Sequence, residues 1–270
     1  MIELENVGVR RGNRTIVSGV SSRLDSGQIH VIIGPNGSGK TTLLRAVFGD
    51  IPLDAGTIRL GNHVLSPGSR RRPASWQERV AYMPQDTAAD VALTVLEVVL
   101  LGRLDKLSLH IGHEILEMAI DRLAQVGIAH LANRDISSLS GGQRQLALFA
   151  QVLMREPEIM LLDEPVSALD LKHQVSLLDV LKRQTLANGW ITLVVLHDLN
   201  LACQYADNLL VIADGSVKAS GAPMQIVTPA LIRETYGLEV DVLQDRRGNP
   251  VIQPLVGLNQ TTPKREGISV

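Results

Sequence analysis

The sequence predicts an α/β protein with a mostly parallel sheet and a helical insert, and three observations support this fold class. Apolar runs at residues 159–162 and 191–196 do not alternate with polar residues, which is typical of parallel strands covered on both faces. Helix-like segments separate the strand-like ones, as they do in parallel sheets. From about residue 86 to 154 the pattern is helical, which predicts the insert.

Local signals place the elements along the chain. Residues 1–85 alternate short strand patterns with turn signals, interrupted by one helix-like segment. Thr94 and Glu97 stand at capping-box spacing and predict a helix start. Apolar residues between 115 and 126 recur at helical spacing. The pair Asp214-Gly215 after an apolar strand predicts a hairpin.

Composition describes an ordinary globular chain. At 270 residues it can bury a sizeable core, and its net charge of −2 lacks the basic character expected of nucleic-acid binding. We find neither a signal segment at Met1 nor the roughly 18 to 20 uninterrupted apolar residues of a membrane span. The single cysteine, Cys203, excludes an internal disulfide. We therefore expect a cytosolic chain whose membrane role comes through a partner.

A glycine-rich loop between a strand-like run and a helix-like segment predicts binding of a nucleoside triphosphate. Its glycines let successive N–H groups point into one concavity, where the positive end of the helix dipole also attracts phosphate. Lys40 would reach the β- and γ-phosphates, and the hydroxyl of Thr41 would ligate Mg²⁺. The residues assigned to this loop are Gly34, Pro35, Asn36, Gly37, Ser38, Gly39, Lys40, Thr41 and Thr42.

Two adjacent acids follow the apolar run 159–162. Asp163, at the strand end, can hold the magnesium shell beneath the phosphate loop. Glu164 would point elsewhere along an extended chain and could act as general base on the water that attacks the γ-phosphate. The alternative is that both acids simply cap a following helix.

A second anion site is predicted at Ser140, Gly141, Gly142 and Gln143, before a helix expected from about residue 144 to 154. Ser140 and Gln143 have capping-box spacing, so an ordinary helix start explains them too. The two interpretations are compatible, because a well-formed helix N-terminus is what makes an anion site.

Taken in order, these motifs resemble the nucleotide-binding subunits of ABC transporters. The motifs that carry the resemblance are the phosphate loop, Gln85, residues 139–143, residues 159–164, residues 167–170 and His197. The resemblance implies one ABC cassette of the P-loop NTPase class over residues 1–255, with a RecA-like core and an antiparallel β subdomain at about 1–85 and 155–255. It also implies a helical subdomain at about 86–154 and leaves residues 256–270 as a loose tail.

The resemblance further implies a head-to-tail homodimer with two ATP molecules between its subunits. Residues 140–143 of one subunit would complete the site built on Lys40 of the other, and Asp170 would link the two sites. The implied catalytic residues are Glu164, His197 and Gln85. The implied magnesium contacts are Thr41, Gln85 and Asp163.

Four further features of the sequence bear on these expectations. Many relatives stack an aromatic residue on adenine, where this sequence has Arg11, whose guanidinium can also stack on a purine. Val166 replaces the usual threonine. His110 and His113 could bind metal, but a solvated pair is the better interpretation. Residues 70–72 are arginines close to Trp76 and could bind an anionic partner, although a solvated loop is favoured.

A single cassette without fused membrane spans resembles a bacterial importer subunit. Residues 94–103, 236–240 and 248–251 resemble the group that imports ferric siderophores, haem and cobalamin, and residues 139–146 favour the siderophore branch. We expect a peripheral ATPase at the cytoplasmic face of the inner membrane, with permease subunits and indirectly an external solute-binding protein as partners. Haem or cobalamin import is the alternative, and a soluble ABC ATPase switch outside transport is another.

Overall fold

The computed structural model describes residues 1–68, 74–85, 92–106 and 112–255. Its strands, in chain order, are β1 (Ile2–Arg11), β2 (Arg14–Leu24), β3 (Gln28–Ile33), β4 (Ala55–Leu60), β5 (His63–Leu65), β6 (Val80–Met83), β7 (Ile159–Asp163), β8 (Ile191–Val195), β9 (Asn208–Ala213), β10 (Ser216–Gly221), β11 (Val240–Gln244) and β12 (Pro250–Pro254). Its α-helices are α1 (Lys40–Phe48), α2 (Ala74–Arg79), α3 (Val95–Leu100), α4 (His113–Gln125), α5 (Gly141–Met154), α6 (Leu171–Asn188), α7 (Leu199–Tyr205), α8 (Pro223–Ile226) and α9 (Pro229–Tyr236).

A six-stranded sheet of order β10-β9-β3-β8-β7-β6 forms the centre of the fold. All neighbours in it are parallel except β9 and β10, which form the hairpin predicted at Asp214-Gly215. β7 and β8 are buried along their whole length, as their unbroken apolar sequence predicts. The mostly parallel α/β class is therefore confirmed.

An antiparallel sheet of order β2-β1-β4-β5 lies over one face of the central sheet. Apolar side chains from β1 and β2 share one core with Leu43 and Leu44 of α1 and with Ile32 of β3. The helix that follows the phosphate loop is therefore packed between the two sheets. β11 and β12 form a separate two-stranded hairpin.

Three helices, α3, α4 and α5, stand between β6 and β7 in the chain and pack on one another. The predicted capping boxes are present at both starts, from Thr94 to Glu97 at α3 and from Ser140 to Gln143 at α5. Their apolar faces join the core on the other face of the central sheet. The division of the chain into subdomains stays a prediction.

The interpretation of Trp76 as part of a solvated loop is wrong. Its ring is fully buried, and its indole N–H donates to the carbonyl of Val47 at 3.1 Å. The arginines at 70–72, His110 and the tail at 256–270 lie outside the described residues. Within the described part of the chain, no helix has the length and apolar character needed to cross a membrane.

Candidate functional site

The phosphate loop joins the end of β3 to the start of α1, and the backbone geometry at two of its positions favours glycine. Gly34 has a φ of +153°, and a Cβ there would lie 1.9 Å from the carbonyl oxygen of Ile212. Gly39 caps α1 with a φ of +101°, and its Cβ would come within 2.8 Å of the carbonyl oxygen of Ile16. Close backbone approach and left-handed conformation thus both require glycine.

Lys40 closes the loop on itself. Its ammonium donates to the carbonyl oxygens of Gly34 at 2.8 Å and Pro35 at 3.0 Å, and the residue is only 6% exposed. Burial lowers the pKa of Lys40, while the charges of Glu164 and Asp163 act in the opposite direction. The cation therefore stands beside the concavity where phosphate oxygens would lie.

Thr41 and Asp163 meet beneath the loop. The Thr41 hydroxyl donates to Asp163 Oδ1 at 3.1 Å, and the Tyr82 hydroxyl donates to Oδ2 at 3.5 Å. Asp163 is 1% exposed, and burial raises the pKa of its carboxyl despite these two hydrogen bonds. A hydroxyl and a carboxylate are the hard oxygen ligands that Mg²⁺ prefers, so this donor set fits the ion.

Glu164 carries a cluster with Gln85 and His197. Gln85 Nε2 donates to Glu164 Oε2 at 2.8 Å, and His197 Nε2 hydrogen-bonds to Oε1. The extended conformation expected at Glu164 is wrong, since its φ is +52°. The left-handed turn still separates the two carboxylates, so that Asp163 points towards Thr41 while Glu164 points towards Gln85 and His197.

One cavity of about 670 Å³ unites most of the predicted site. Its lining residues are Arg14, Ile16, Asn36, Gly37, Ser38, Gly39, Lys40, Thr41, Thr42, Gln85, Glu164 and His197. Arg11 instead lines an adjoining cavity of about 430 Å³ that shares Ile16, Thr41 and Thr42 with the first. Sequence reasoning missed Arg14 and Ile16, whose only signal was their place on the strand after Arg11.

The Ser140 segment lies in a separate cavity of about 550 Å³. Ser140 Oγ accepts from the Gln143 amide at 3.3 Å, which leaves this helix start formed and its remaining amides available. Asp170 lines the same cavity, caps α6 through the His173 amide at 2.9 Å, and hydrogen-bonds to the His173 ring. Within one chain, therefore, these residues do not line the cavity of the phosphate loop.

The family model described as "ABC transporter" matches residues 17–167, more than half of the chain. The chain belongs to the ABC transporter family. The match spans the phosphate loop, the Ser140 segment and the pair Asp163-Glu164. The resemblance and the ABC cassette fold expected from the sequence are confirmed, and the chain is an ATPase of this family.

Two curated relatives extend over nearly the whole chain. The hemin import ATP-binding protein HmuV of Rhodopseudomonas palustris (strain HaA2) is 37% identical over 262 residues, covering 94% of this chain and 97% of that protein. The cobalamin import ATP-binding protein BtuD of Halobacterium salinarum (strain ATCC 29341 / DSM 671 / R1) is 35% identical over 259 residues, covering 94% of this chain and 63% of that protein.

Two solved structures share the fold. A metal-chelate type ABC transporter in an inward-facing conformation superposes with a TM-score of 0.79 at 26% identity, covering 95% of this chain and 98% of that chain. The dimeric structure of a bacterial ABC transporter cassette gives a TM-score of 0.73 at 26% identity, covering 82% and 98% respectively.

Proposed function

We propose that this chain is the ATP-hydrolysing subunit of a bacterial haem importer and works on a separate permease at the cytoplasmic face of the inner membrane. Similarity over almost the full length of a hemin import ATP-binding protein carries the proposal. An external solute-binding protein would deliver the cargo to the permease.

Cobalamin is the second candidate cargo, favoured by the similarity to a cobalamin import ATP-binding protein. The ferric siderophore preferred from residues 139–146 is not proposed, because the names of these relatives favour the alternative cargos, haem and cobalamin. A soluble switch outside transport likewise has no support from them.

The described side chains suggest how ATP is bound. The phosphate-loop amides and Lys40 would hold the β- and γ-phosphates, with Lys40 exchanging its carbonyl partners for phosphate oxygens. Thr41, Asp163 and Gln85 would hold Mg²⁺, which supplies neutralising charge for the phosphate oxygens. Arg11 would stack on adenine from the adjoining cavity.

Glu164 would act as the general base. It would accept a proton from water while the water oxygen bonds to the γ-phosphorus and the bond from that phosphorus to the bridging oxygen breaks. Gln85 and His197 each hydrogen-bond to a different one of its two carboxylate oxygens, which would restrict the orientation of the carboxylate. His197 would also touch the γ-phosphate.

The separation of the Ser140 cavity from the phosphate loop favours a head-to-tail homodimer. In it, residues 140–143 of one subunit would contact the γ-phosphate held by Lys40 of the other, and Asp170 would lie between the sites. ATP would then stabilise the closed dimer through contacts absent from the open one, and hydrolysis would remove them. A permease bound to the helices α3–α5 would experience this cycle as a change of shape.

The first test is affinity purification of the tagged chain from mildly solubilised native membranes, with partners identified by mass spectrometry. We expect a permease with many membrane spans. The recovered complex is then reconstituted in proteoliposomes and assayed for ATP-dependent uptake of hemin, cobalamin and a ferric siderophore in parallel.

Hemin uptake would support the main proposal, and uptake of cobalamin alone would support the second candidate. Uptake of the ferric siderophore alone would overturn both cargos while leaving the importer intact. Recovery of soluble partners only would remove the chain from transport.

A further inference from the structure

A buried glutamine to which the sequence motifs assigned no role in the site connects α5 to the loop after β7. Gln145 lies one turn into α5 and is 5% exposed. Its Nε2 donates to the carbonyl oxygen of Glu164 at 2.9 Å, and its Oε1 accepts from the amide of Ala168 at 3.1 Å. One side chain thus pairs with the carbonyl of Glu164 at one end of this loop and with the amide of Ala168 at the other end.

Glu164 needs such support because its backbone is in a costly conformation. A φ of +52° is uncommon for a residue with a Cβ and persists only where the surroundings hold it. The Glu164 amide donates to Val195 at 3.2 Å, and its carbonyl accepts from the amide and hydroxyl of Ser167 as well as from Gln145. Among these partners, Gln145 is the one that comes from the helical segment between β6 and β7.

The start of α5 also touches this loop directly. A Cβ at Gly142 would lie 2.9 Å from the carbonyl oxygen of Ala168, so the helix and the loop are in backbone contact there. A displacement of α5 relative to β7 would break this contact and leave the buried amide of Gln145 unpaired. An unpaired buried polar group is costly, and therefore the two elements are held in one relative position.

We propose that Gln145 is a positioning residue that transmits the position of the Ser140 segment to the carboxylate of Glu164. The proposal rests on the roles given above to Glu164 and to the head-to-tail dimer. When nucleotide of the opposite subunit is held at residues 140–143, α5 is fixed, and Gln145 fixes the Glu164 backbone. Closure of the dimer around the nucleotide in one site therefore orients Glu164, the general base, in the other site.

A second glutamine provides a useful contrast. Gln174, on α6, donates to the carbonyl oxygens of Val166 and Leu169 at 3.2 and 3.0 Å. These bonds stay within a stretch of nine residues, so they shape the loop without joining it to a distant element. Gln145, by contrast, spans 19 and 23 positions to Glu164 and Ala168.

The main test compares ATPase kinetics of wild type, Gln145→Met and Thr185→Val. The first variant keeps the approximate shape of the side chain and loses both hydrogen bonds. The second breaks another buried polar pair, Thr185 with Thr192 at 2.6 Å, neither of which lines the cavity of the phosphate loop. Both should lower the Tm.

For Gln145→Met we expect kcat to fall by about tenfold to a hundredfold with KM changed less than about twofold, because misplacing a catalytic group slows chemistry without weakening binding. Thr185→Val should keep the wild-type kcat per folded molecule. Equal effects of the two variants on kcat would show that Gln145 acts through stability alone and would overturn the proposal.

If Gln145→Met fails to fold, Gln145→Glu takes its place. Its carboxylate can accept from the Ala168 amide but, when ionised, cannot donate to the Glu164 carbonyl. Full kcat in that variant would remove Gln145 from the positioning of Glu164, and a loss like that expected for Gln145→Met would support it.

Dimer formation separates this proposal from the proposed function. In the Glu164→Gln background, adding Gln145→Met should leave the ATP-dependent dimer intact, with a dissociation constant within about threefold. Loss of the dimer would assign Gln145 to nucleotide binding and overturn the positioning role. Absence of a dimer in Glu164→Gln alone would instead contradict the proposed function.

Discussion

Asp163 shows at the scale of one residue how a functional group reduces stability. Burial raises the pKa of its carboxyl above the usual value, so the folded chain binds that proton more tightly than the unfolded chain does. The contribution of Asp163 to the free energy of unfolding is therefore greatest at low pH and falls as the pH rises through the raised pKa. At neutral pH the ionised Asp163 destabilises the nucleotide-free protein.

We therefore predict that Asp163→Asn raises the Tm of the nucleotide-free protein at pH 7 by about 2–4 °C. The gain should shrink as pH falls below about 4, where the carboxyl is neutral in both states. Scanning calorimetry across pH measures this, and ATPase activity should be lost. Asp245→Asn is the control: hydrogen bonds from Asn249 lower the pKa of Asp245, so its substitution should not raise the Tm.

For Glu164→Gln we predict a fall in kcat of about a hundredfold or more, with ATP binding retained, because the amide cannot take the proton from water. Single-turnover hydrolysis and equilibrium binding of ATP measure the two effects separately. Glu158→Gln, which alters an exposed ion pair with Arg79 at the other end of β7, serves as the matched control. Normal turnover in Glu164→Gln would remove Glu164 from the role of base.

At the scale of elements, several residues of the segment 94–103 have roles in starting α3 or in packing against α5. Thr94 and Glu97 start α3, and a short 3₁₀ helix (Leu101–Lys106) then runs against α5. A Cβ at Gly102 would lie 2.3 Å from the carbonyl oxygen of Gln151. Arg103 then donates to the carbonyl of Met154 at 3.3 Å, near the end of α5.

Gly102→Ala should accordingly destabilise the protein by about 1–3 kcal/mol, because the added methyl must push the 3₁₀ helix away from α5. Urea unfolding followed by circular dichroism measures the change. Gly112→Ala is the control, since a Cβ there meets nothing within 4 Å. Equal stability changes in the two variants would contradict the close-packing explanation.

Elements whose cause is local were predictable from sequence, and those with tertiary causes were not. The phosphate loop, the capping box at Ser140 and the hairpin at Asp214 follow from backbone rules that a few neighbouring residues decide. The turn at Glu164 depends on Val195 and Gln145, which are distant in sequence. Burial of Trp76 likewise depends on α1. Its arginine neighbours in the sequence instead favoured a solvated loop.

At the scale of the whole molecule, the predicted site residues lie in two separate cavities, which the proposed head-to-tail dimer would bring together. We predict that Ser140→Arg blocks ATP-dependent dimerisation, because a long cation would fill the cavity in which the proposed dimer holds the nucleotide of the partner. Nucleotide binding to the monomer should persist, since Ser140 does not line the cavity of the phosphate loop.

Gel filtration with ATP in the Glu164→Gln background provides the measurement. Glu164→Gln alone should elute as a dimer, and the double variant as a monomer. Ser138→Arg is the control for added charge on the same segment, since Ser138 is exposed and does not line the cavity. If the Ser140→Arg double variant gave the same dimer, the composite site would be wrong.

The hydrogen bonds of Lys40 to its own loop have a consequence for the nucleotide-free protein between turnovers. With its ammonium on the carbonyls of Gly34 and Pro35, the loop keeps its curvature without any phosphate inside. An arriving nucleotide therefore exchanges hydrogen bonds rather than folding a disordered segment, and the departing product leaves a ready template. Recovery of the empty site then requires only that the Lys40 side chain return to these two carbonyls, without refolding of the loop.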